Sequence, residues 1–265
     1  MNPFVRKNQE LWDEWAEINY RSAFYDVAGF LRSPPPLDDV VTDALGDLTG
    51  KRILHLQCHF GMDTLRLAPR AASVTGIDFS SKAIARANEL AAATGLDSRV
   101  RFVETDLYAL PDVLDDEFDV VFTSLGVLGW LPDLVRWGQI IARYLVPGGR
   151  FVIVDGHPTM MMFGADLTIC YPYFHAAEPL VFPPKVGNYA DPTAVVTKTE
   201  YSWPHALGEI VGALLDAGLR LDELREYPFT YWKAFPFLIQ QGERWLMPPD
   251  RPSIPLTFSL RASRP

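Results

Sequence analysis

The chemistry-bearing residues of this chain stand in short stretches that follow apolar runs. Gln57-Cys58-His59-Phe60-Gly61 gathers an amide, a thiol, an imidazole and a glycine in one tight turn. Asp78 and Asp106 each close a later apolar run, and Ser124 closes another. A carboxylate at the end of a second strand can accept from both hydroxyls of a ribose, a bidentate contact that anchors a nucleoside. Asp106 can accept from an exocyclic adenine amine, so the set describes an adenosine pocket. Plainer readings stand beside this one. Asp78 can be an acid at a helix N-terminus, and Asp106 can cap the following turn. His55, Cys58 and His59 raise a metal site, but three residues on one tight turn rarely converge on one ion and no second ligand pair is visible, so no metal is expected.

The elements that must position these groups alternate between strand and helix from Lys51 to Asp155. Arg52-Ile53-Leu54-His55-Leu56 reads as a first strand, and residues 71–78 hold a second. Ser80 is a fitting N-cap for a helix through about Ala93, with Gly95 where a C′ glycine belongs. Residues 99–104 and 118–124 read as the third and fourth strands. Pro132 is expected to open the next helix, Pro147-Gly148-Gly149 to end it, and Arg150 to Asp155 to form a fifth strand. Near-continuous apolar strands separated by helices indicate a parallel sheet covered on both faces, and the right-handed crossover makes it doubly wound. In such a sheet ligands bind beyond the carboxyl ends of the strands, where Asp78, Asp106 and Ser124 stand.

Outside this core, Leu11, Trp15, Ile18, Ser22 and Tyr25 recur at helical steps, predicting an N-terminal helix stopped by Gly29 and the Pro34-Pro35-Pro36 run. Of 22 prolines, 14 lie in the last 115 residues, which marks a loop-rich C-terminal part. Within it a helix is expected over Leu207 to Leu215, closed by Gly218. A strand over residues 219–227 follows, and a last strand in which Ile254, Leu256, Phe258 and Leu260 alternate with polar residues. Two late strands without a crossover helix add an antiparallel edge. The chain divides into an N-terminal helix and linker (1–36), a core (37–156), a lid (157–204) and a C-terminal helix with edge strands (205–265).

With 24 Lys+Arg against 33 Asp+Glu, the net charge of −9 offers no basic field for a phosphate backbone, so no nucleic-acid partner is expected. Hydrophobic residues at 48% and charged ones at 22% suit a globular chain. No apolar run approaches membrane-spanning length, and the opening MNPFVRKNQELWDEW has no signal-peptide core. With two cysteines only, a cytoplasmic protein with no membrane association is expected. The oligomeric state is not legible.

Ile53 to Gly61, Gly76-Ile77-Asp78-Phe79-Ser80, Val103-Glu104-Thr105-Asp106, Phe118-Asp119-Val120-Val121 and Leu145-Val146-Pro147-Gly148-Gly149 resemble, in order and spacing, the successive motifs of class I S-adenosylmethionine-dependent methyltransferases. The resemblance covers roughly Lys51 to Asp155. It implies a mostly parallel seven-stranded Rossmann-like sheet and S-adenosylmethionine as cofactor. It also implies roles. Gln57, Cys58, His59 and Gly61 form the loop at the methionyl part, Asp78 with Phe79 meets the ribose, Asp106 with Leu107 meets the adenine, and Ser124 lies on the sulfonium side. Tyr25, in Phe24-Tyr25-Asp26, resembles the Tyr-Asp element that closes over the amino acid end of the cofactor; core packing is its plainer reading. The usual loop reads acid-x-Gly-x-Gly-x-Gly, and His55, Gln57, His59 and Gly61 occupy those positions, as in a bacterial small-molecule subset of the family.

A sulfonium methyl is already activated, so transfer needs mainly positioning and water exclusion. A phenol or alcohol acceptor benefits from a base, and His157 and His205 stand where one belongs, each with a structural alternative. Tyr20, Trp130 and Tyr171, together with Tyr173, Phe174 and Trp203, are expected around the acceptor. Strand four ends in Thr123-Ser124-Leu125-Gly126 and not in an Asn/Asp-Pro-Pro-Tyr element, which favours a small-molecule acceptor methylated at O, N or S. Three alternatives share the nucleoside pocket: an enzyme that cyclises or eliminates S-adenosylmethionine itself, a nicotinamide dehydrogenase, and a binding protein without catalysis. Asp78 lies 17 residues beyond Gly61, but the missing Gly-x-Gly-x-x-Gly disfavours the dehydrogenase.

Overall fold

The computed structural model describes residues 2–265. In chain order the elements are α1 (Pro3–Arg21), α2 (Val27–Arg32), α3 (Asp39–Leu45), β1 (Arg52–Leu56), α4 (Met62–Leu67), β2 (Ser73–Asp78), α5 (Ser81–Thr94), β3 (Val100–Glu104), β4 (Phe118–Ser124), α6 (Leu134–Tyr144) and β5 (Leu145–Gly156). There follow β6 (Leu180–Phe182), β7 (Glu200–Ser202), α7 (Leu207–Asp216), β8 (Arg220–Tyr227), β9 (Phe229–Thr230), β10 (Ile239–Gln241), β11 (Arg244–Leu246) and β12 (Thr257–Ser263).

Seven strands form one sheet in the order β3-β2-β1-β4-β5-β12-β8. The first five are parallel, and β12 runs antiparallel to both β5 and β8. Strand order reverses between β1 and β4, which opens the crevice a doubly wound sheet uses for ligands. Period two splits each strand between two cores. Leu54, Leu56, Phe151, Ile153 and Phe258 face α6 and α7 around the fully buried Trp137, while Ile53, Val120, Phe122, Val152 and Val154 face α3. A methyl on Gly138 would run into the carbonyl of Ala213, so only glycine lets α6 and α7 approach this closely.

The helix caps explain several boundaries. Ser80 Oγ accepts from Ala83 N, and Gly95 takes a left-handed C-cap at φ 67°, as the sequence predicts. Four expectations are corrected. The N-terminal helix ends at Arg21 rather than continuing to Gly29: the Ser22 hydroxyl folds back onto Asn19 O at 2.7 Å, and a second helix capped by Asp26 contains Gly29. Pro132 lies outside α6, whose N-cap is Asp133. Pro147-Gly148-Gly149 does not separate helix from strand, since α6 stops at Tyr144 and β5 begins at Leu145. The last strand begins at Thr257 and is buried on both faces, because Phe258 and Leu260 enter the α6–α7 core while α3 packs on the other side. The β6–β7 hairpin and the small sheet β10-β11-β9, inserted between β8 and β12, are not legible as regular elements beforehand.

Helix α1 reaches the lid through buried Asn8. Its amide accepts from Tyr201 N at 3.0 Å and donates to Tyr201 O at 2.7 Å, pairing with β7 as a neighbouring strand would. The lid is thereby fixed across the carboxyl ends of the central strands.

Candidate active site

The turn after β1 is folded by its backbone. Cys58 N donates to Ile77 O and Gly61 N to Cys58 O, so the loop rolls over the end of β2. Gln57, His59 and Gly61 hold φ of 52°, 54° and 76°, respectively. The three glycine positions of the pattern therefore keep left-handed backbone although two carry side chains. Each such non-glycine residue stores on the order of 1 kcal/mol of strain. Gln57 Nε2 donates to Val127 O at 3.2 Å, while Gln57 Oε1 and His59 Nε2 are buried with no partner among the described residues. Glycine at position 57 releases the strain and removes one orphaned oxygen. Gln57→Gly is expected to raise Tm by about 2–4 °C in a calorimetric scan; a lower Tm would show that the bond to Val127 dominates.

Asp78, at the tip of β2, is buried. Its Oδ2 accepts from His59 N at 2.8 Å and its Oδ1 from Ser80 N at 2.9 Å. Burial nevertheless pushes its pKa up to about 6, against the pull of those backbone donors. Each carboxylate oxygen has a second lone pair, so the group can still grip a diol. Thr105 N donates to Asp78 O, bringing Asp106 and Leu107 alongside. Asp106 Oδ1 accepts from Tyr108 N at 3.2 Å, so it does cap the following turn, with a second oxygen to spare; burial raises its pKa. Phe79 spends its carbonyl on Gln9 Nε2 at 2.6 Å.

His55 replaces the acid of the pattern with a buried neutral ring, its pKa pushed down to about 4 by burial. Ser124 Oγ donates to Asp63 Oδ2 at 3.3 Å, so it accepts from His55 Nε2 at 3.1 Å, and His55 Nδ1 in turn accepts from Thr64 Oγ1 at 2.8 Å. The negative charge has moved to Asp63, at the first turn of α4, where Arg66 donates to it at 2.6 Å. Cys58 is buried and its thiol pKa rises for the same reason, so it is an inert wall.

Aromatic rings roof the loop. Trp12 lies 5.2 Å from the His59 ring and 5.1 Å from Trp130. Tyr25 lies 5.5 Å from His59, and its hydroxyl meets that of Tyr189 at 2.5 Å. Enclosure on all sides pushes the His59 pKa down to about 3, leaving the ring neutral.

Beyond the tips of β4 and β5 a cavity of about 430 Å³ opens under the lid. Trp130, Tyr171, Tyr173 and Trp203 line it, as do Phe163, Phe182 and Phe235, which sequence reasoning did not single out. Trp130 thus borders both the roofed loop and the cavity. Tyr20 is not brought there: it packs 5.6 Å from Phe60 with the Arg86 guanidinium 4.7 Å over its ring. Phe174 is largely exposed and absent from the lining. His157 also lies outside it, accepting from Thr159 N and standing 2.8 Å from Glu226 Oε1. His205 does line the cavity, but its Nε2 contacts Leu131 O at 2.7 Å and its ring stacks on His175; burial lowers its pKa to about 4. His157 therefore has no access to the cavity, while His205 borders it with one ring nitrogen already bonded to Leu131 O. No cluster of metal-ligating side chains stands among the described residues, nor is any of their helices long and apolar enough to cross a membrane.

Asp155, at the tip of β5, went unrecognised. It accepts from the backbone N–H groups of Gly126, Val127, Leu128 and Gly156 and so shapes the β4 turn that walls the cavity. The strand-end rule that picked out Asp78 points to it equally. Trp12 and Tyr189 carry no such signal, being placed by tertiary contact alone.

Residues 53–149 match the family described as methyltransferase domain. Over 151 residues the chain is 35% identical to 27-O-demethylrifamycin SV methyltransferase of Amycolatopsis mediterranei, covering 55% of this chain and 53% of that one. It is 33% identical over 133 residues to a ubiquinone biosynthesis O-methyltransferase of Aeromonas salmonicida, covering 48% and 55%. The chain thus spans about half the length of these curated relatives. A solved S-adenosylmethionine-dependent methyltransferase from Mesorhizobium loti superposes with a TM-score of 0.55 at 22% identity, over 90% of this chain and 100% of that one.

Proposed function

Since the central segment belongs to the class I S-adenosylmethionine-dependent methyltransferases, we propose that the protein transfers a methyl group from S-adenosylmethionine to an oxygen of a small, largely apolar molecule held in the lid cavity. The observation that carries this reading is the buried Asp78 carboxylate beside the switch point of the sheet, with lone pairs left over, together with an apolar cavity beyond β4 and β5 that Trp130 separates from the roofed loop. The names of the two curated relatives support oxygen as the acceptor atom.

The residues present fit the cofactor. Asp78 would hold the ribose hydroxyls, and Asp106 with the Leu107 backbone the adenine. The orphaned Gln57 Oε1 and His59 Nε2 would take the charged amino acid end, a good use for polar atoms that are costly to leave unpaired. When bound, S-adenosylmethionine supplies an activated sulfonium methyl. The chain's part is to orient the acceptor against it and exclude water, which the Trp12, Tyr25, Trp130 and Tyr189 rings do by closing the roof. Two free cysteines, one of them exposed, support a reducing cytoplasmic setting.

Calorimetry with S-adenosylhomocysteine tests the reading, and its pH dependence identifies the site. Sugar hydroxyls donate much more strongly to ionised Asp78, whose pKa lies near 6, than to its protonated form. Affinity is therefore expected to fall about tenfold between pH 7 and pH 5. Absence of binding at pH 7 would refute the function, and a flat profile would refute the site. Methylthioadenosine released without any acceptor would favour the cyclising or eliminating enzyme instead.

A further inference from the structure

The lid hairpin carries a carboxylate that nothing in the fold uses. Strands β6 and β7 pair with Leu180 opposite Ser202 and Phe182 opposite Glu200. Strand alternation sends these four side chains to one face, and all four line the cavity, whereas Val181 is exposed and Tyr201 packs back on α1. Several of the cavity's other polar groups already have a partner, although the Tyr171 hydroxyl, which also lines it, has none among the described residues. Asp155 accepts from four backbone N–H groups, Ser202 Oγ donates to Gly129 O at 3.1 Å, Tyr173 Oη accepts from Leu207 N at 3.2 Å, and His205 is bonded to Leu131. Glu200 has neither a side-chain hydrogen bond nor an ion pair among the described residues. Lys185 also lines the cavity but is exposed, so it stands at the rim. Glu200, partly buried, sits directly across from the Phe182 ring.

We infer that Glu200 sets acceptor specificity: the cavity admits a flat aromatic or polycyclic molecule that is neutral or cationic and offers an O–H or N–H to this carboxylate, and it rejects anionic acceptors. This rests on the lid cavity being the acceptor site of the proposed methyltransferase. Trp130, Trp203, Trp232, Phe163 and Phe235 supply flat apolar walls, and about 430 Å³ suits a ligand of two or three fused rings. In such surroundings a carboxylate without a partner gains most from a charge-assisted donor and is repelled by a second anion. Burial raises the Glu200 pKa, with Lys185 pulling the other way, in keeping with an acid held in a poorly hydrated wall.

The test uses three probes on one bicyclic scaffold: 2-naphthol, 2-naphthylmethylamine and 2-naphthoate. Each is titrated by equilibrium dialysis at pH 7 into the full chain saturated with S-adenosylhomocysteine. The alcohol and the ammonium are expected to bind at least tenfold more tightly than the carboxylate. In Glu200→Gln, a near-isosteric change that leaves the hairpin intact, the ammonium should weaken and the carboxylate tighten, each about tenfold. Lys185→Met should leave the wild-type order in place. The inference is overturned if 2-naphthoate binds wild type as well as the others, if the order persists in Glu200→Gln, or if none of the probes binds the loaded protein. Failure of S-adenosylhomocysteine itself to bind would instead remove the proposed function, so the two failures are told apart.

Discussion

Asp78→Asn is expected to weaken S-adenosylhomocysteine binding by about 100-fold while the protein still folds. The amide has nearly the same shape but loses the charge and half of the acceptor capacity. Of four lone-pair positions on the carboxylate, two already receive His59 N and Ser80 N, and two remain for ligand hydroxyls. In asparagine one oxygen must serve what it can, and the NH2 group faces N–H or O–H donors. Losing the charge-assisted contacts to a diol costs about 2–3 kcal/mol, which is on the order of 100-fold in affinity. Folding responds differently. A carboxyl pKa raised by burial marks stability present below the unfolded value and lost as pH rises through about 6. At pH 7 the buried charge therefore works against the fold, and its removal offsets part of the lost hydrogen bonding. Calorimetry on the variant, with a thermal melt of the free protein beside it, separates the two effects. Unchanged affinity would place the nucleoside elsewhere; loss of a cooperative melt would make Asp78 a folding residue.

The parallel core was readable because short, strongly apolar strands and capped helices obey local rules. The Ser80 cap, the Gly95 stop and the bounds of β4 match the structure closely for that reason. The places of Asp78 and Asp106 at strand tips follow from the same local pattern, and doubly wound sheets hold ligands at such tips by topology. What stayed hidden depends on tertiary context. The break after Arg21 is made by one serine hydroxyl folding back onto the chain, and Tyr25 keeps its place against the loop although it is not on the helix that its spacing suggested. His55 could not be interpreted from its position, since its role emerges only when Thr64, Ser124 and Asp63 converge on it. The left-handed backbone at Gln57 and His59 contradicts residue preference, and such conflicts tend to fall at functional sites. The lid was hardest to read: its hairpin is three residues per strand, and its aromatic contacts join segments about 200 residues apart, as Phe4 and Trp203 do.

Asp155→Ala is the largest stability effect expected in the molecule outside the apolar cores. Asp155 is 3% exposed and receives four backbone N–H groups, with Val127 N at 3.2 Å and Leu128 N at 3.1 Å. Three of those donors belong to a turn in which Leu125 and Gly126 both take positive φ, and the carboxylate is the acceptor for all three of them. Truncation leaves four donors facing an apolar side chain, and each buried unsatisfied group costs about 1–3 kcal/mol. Water entering from the adjacent cavity can relieve some of them, so the net loss is about 3–5 kcal/mol. For a chain of this size that lowers Tm by about 10 °C. Removing the buried charge works in the opposite direction, since burial raises the Asp155 pKa despite its donors. Asp155→Asn separates the terms, because it discards the charge yet keeps one acceptor and should fall between alanine and wild type. The functional consequence is selective. The turn holds Trp130, whose indole N–H donates to Gly126 O at 2.8 Å, and Trp130 walls the cavity, whereas the tip of β2, where we propose the ribose binds, lies on the other side of β1. Naphthol affinity should therefore drop more than S-adenosylhomocysteine affinity in Asp155→Ala, measured below its melting point. Equal losses would mean that the two halves of the site fold as one unit, and an unchanged Tm would mean that the four N–H groups find other acceptors.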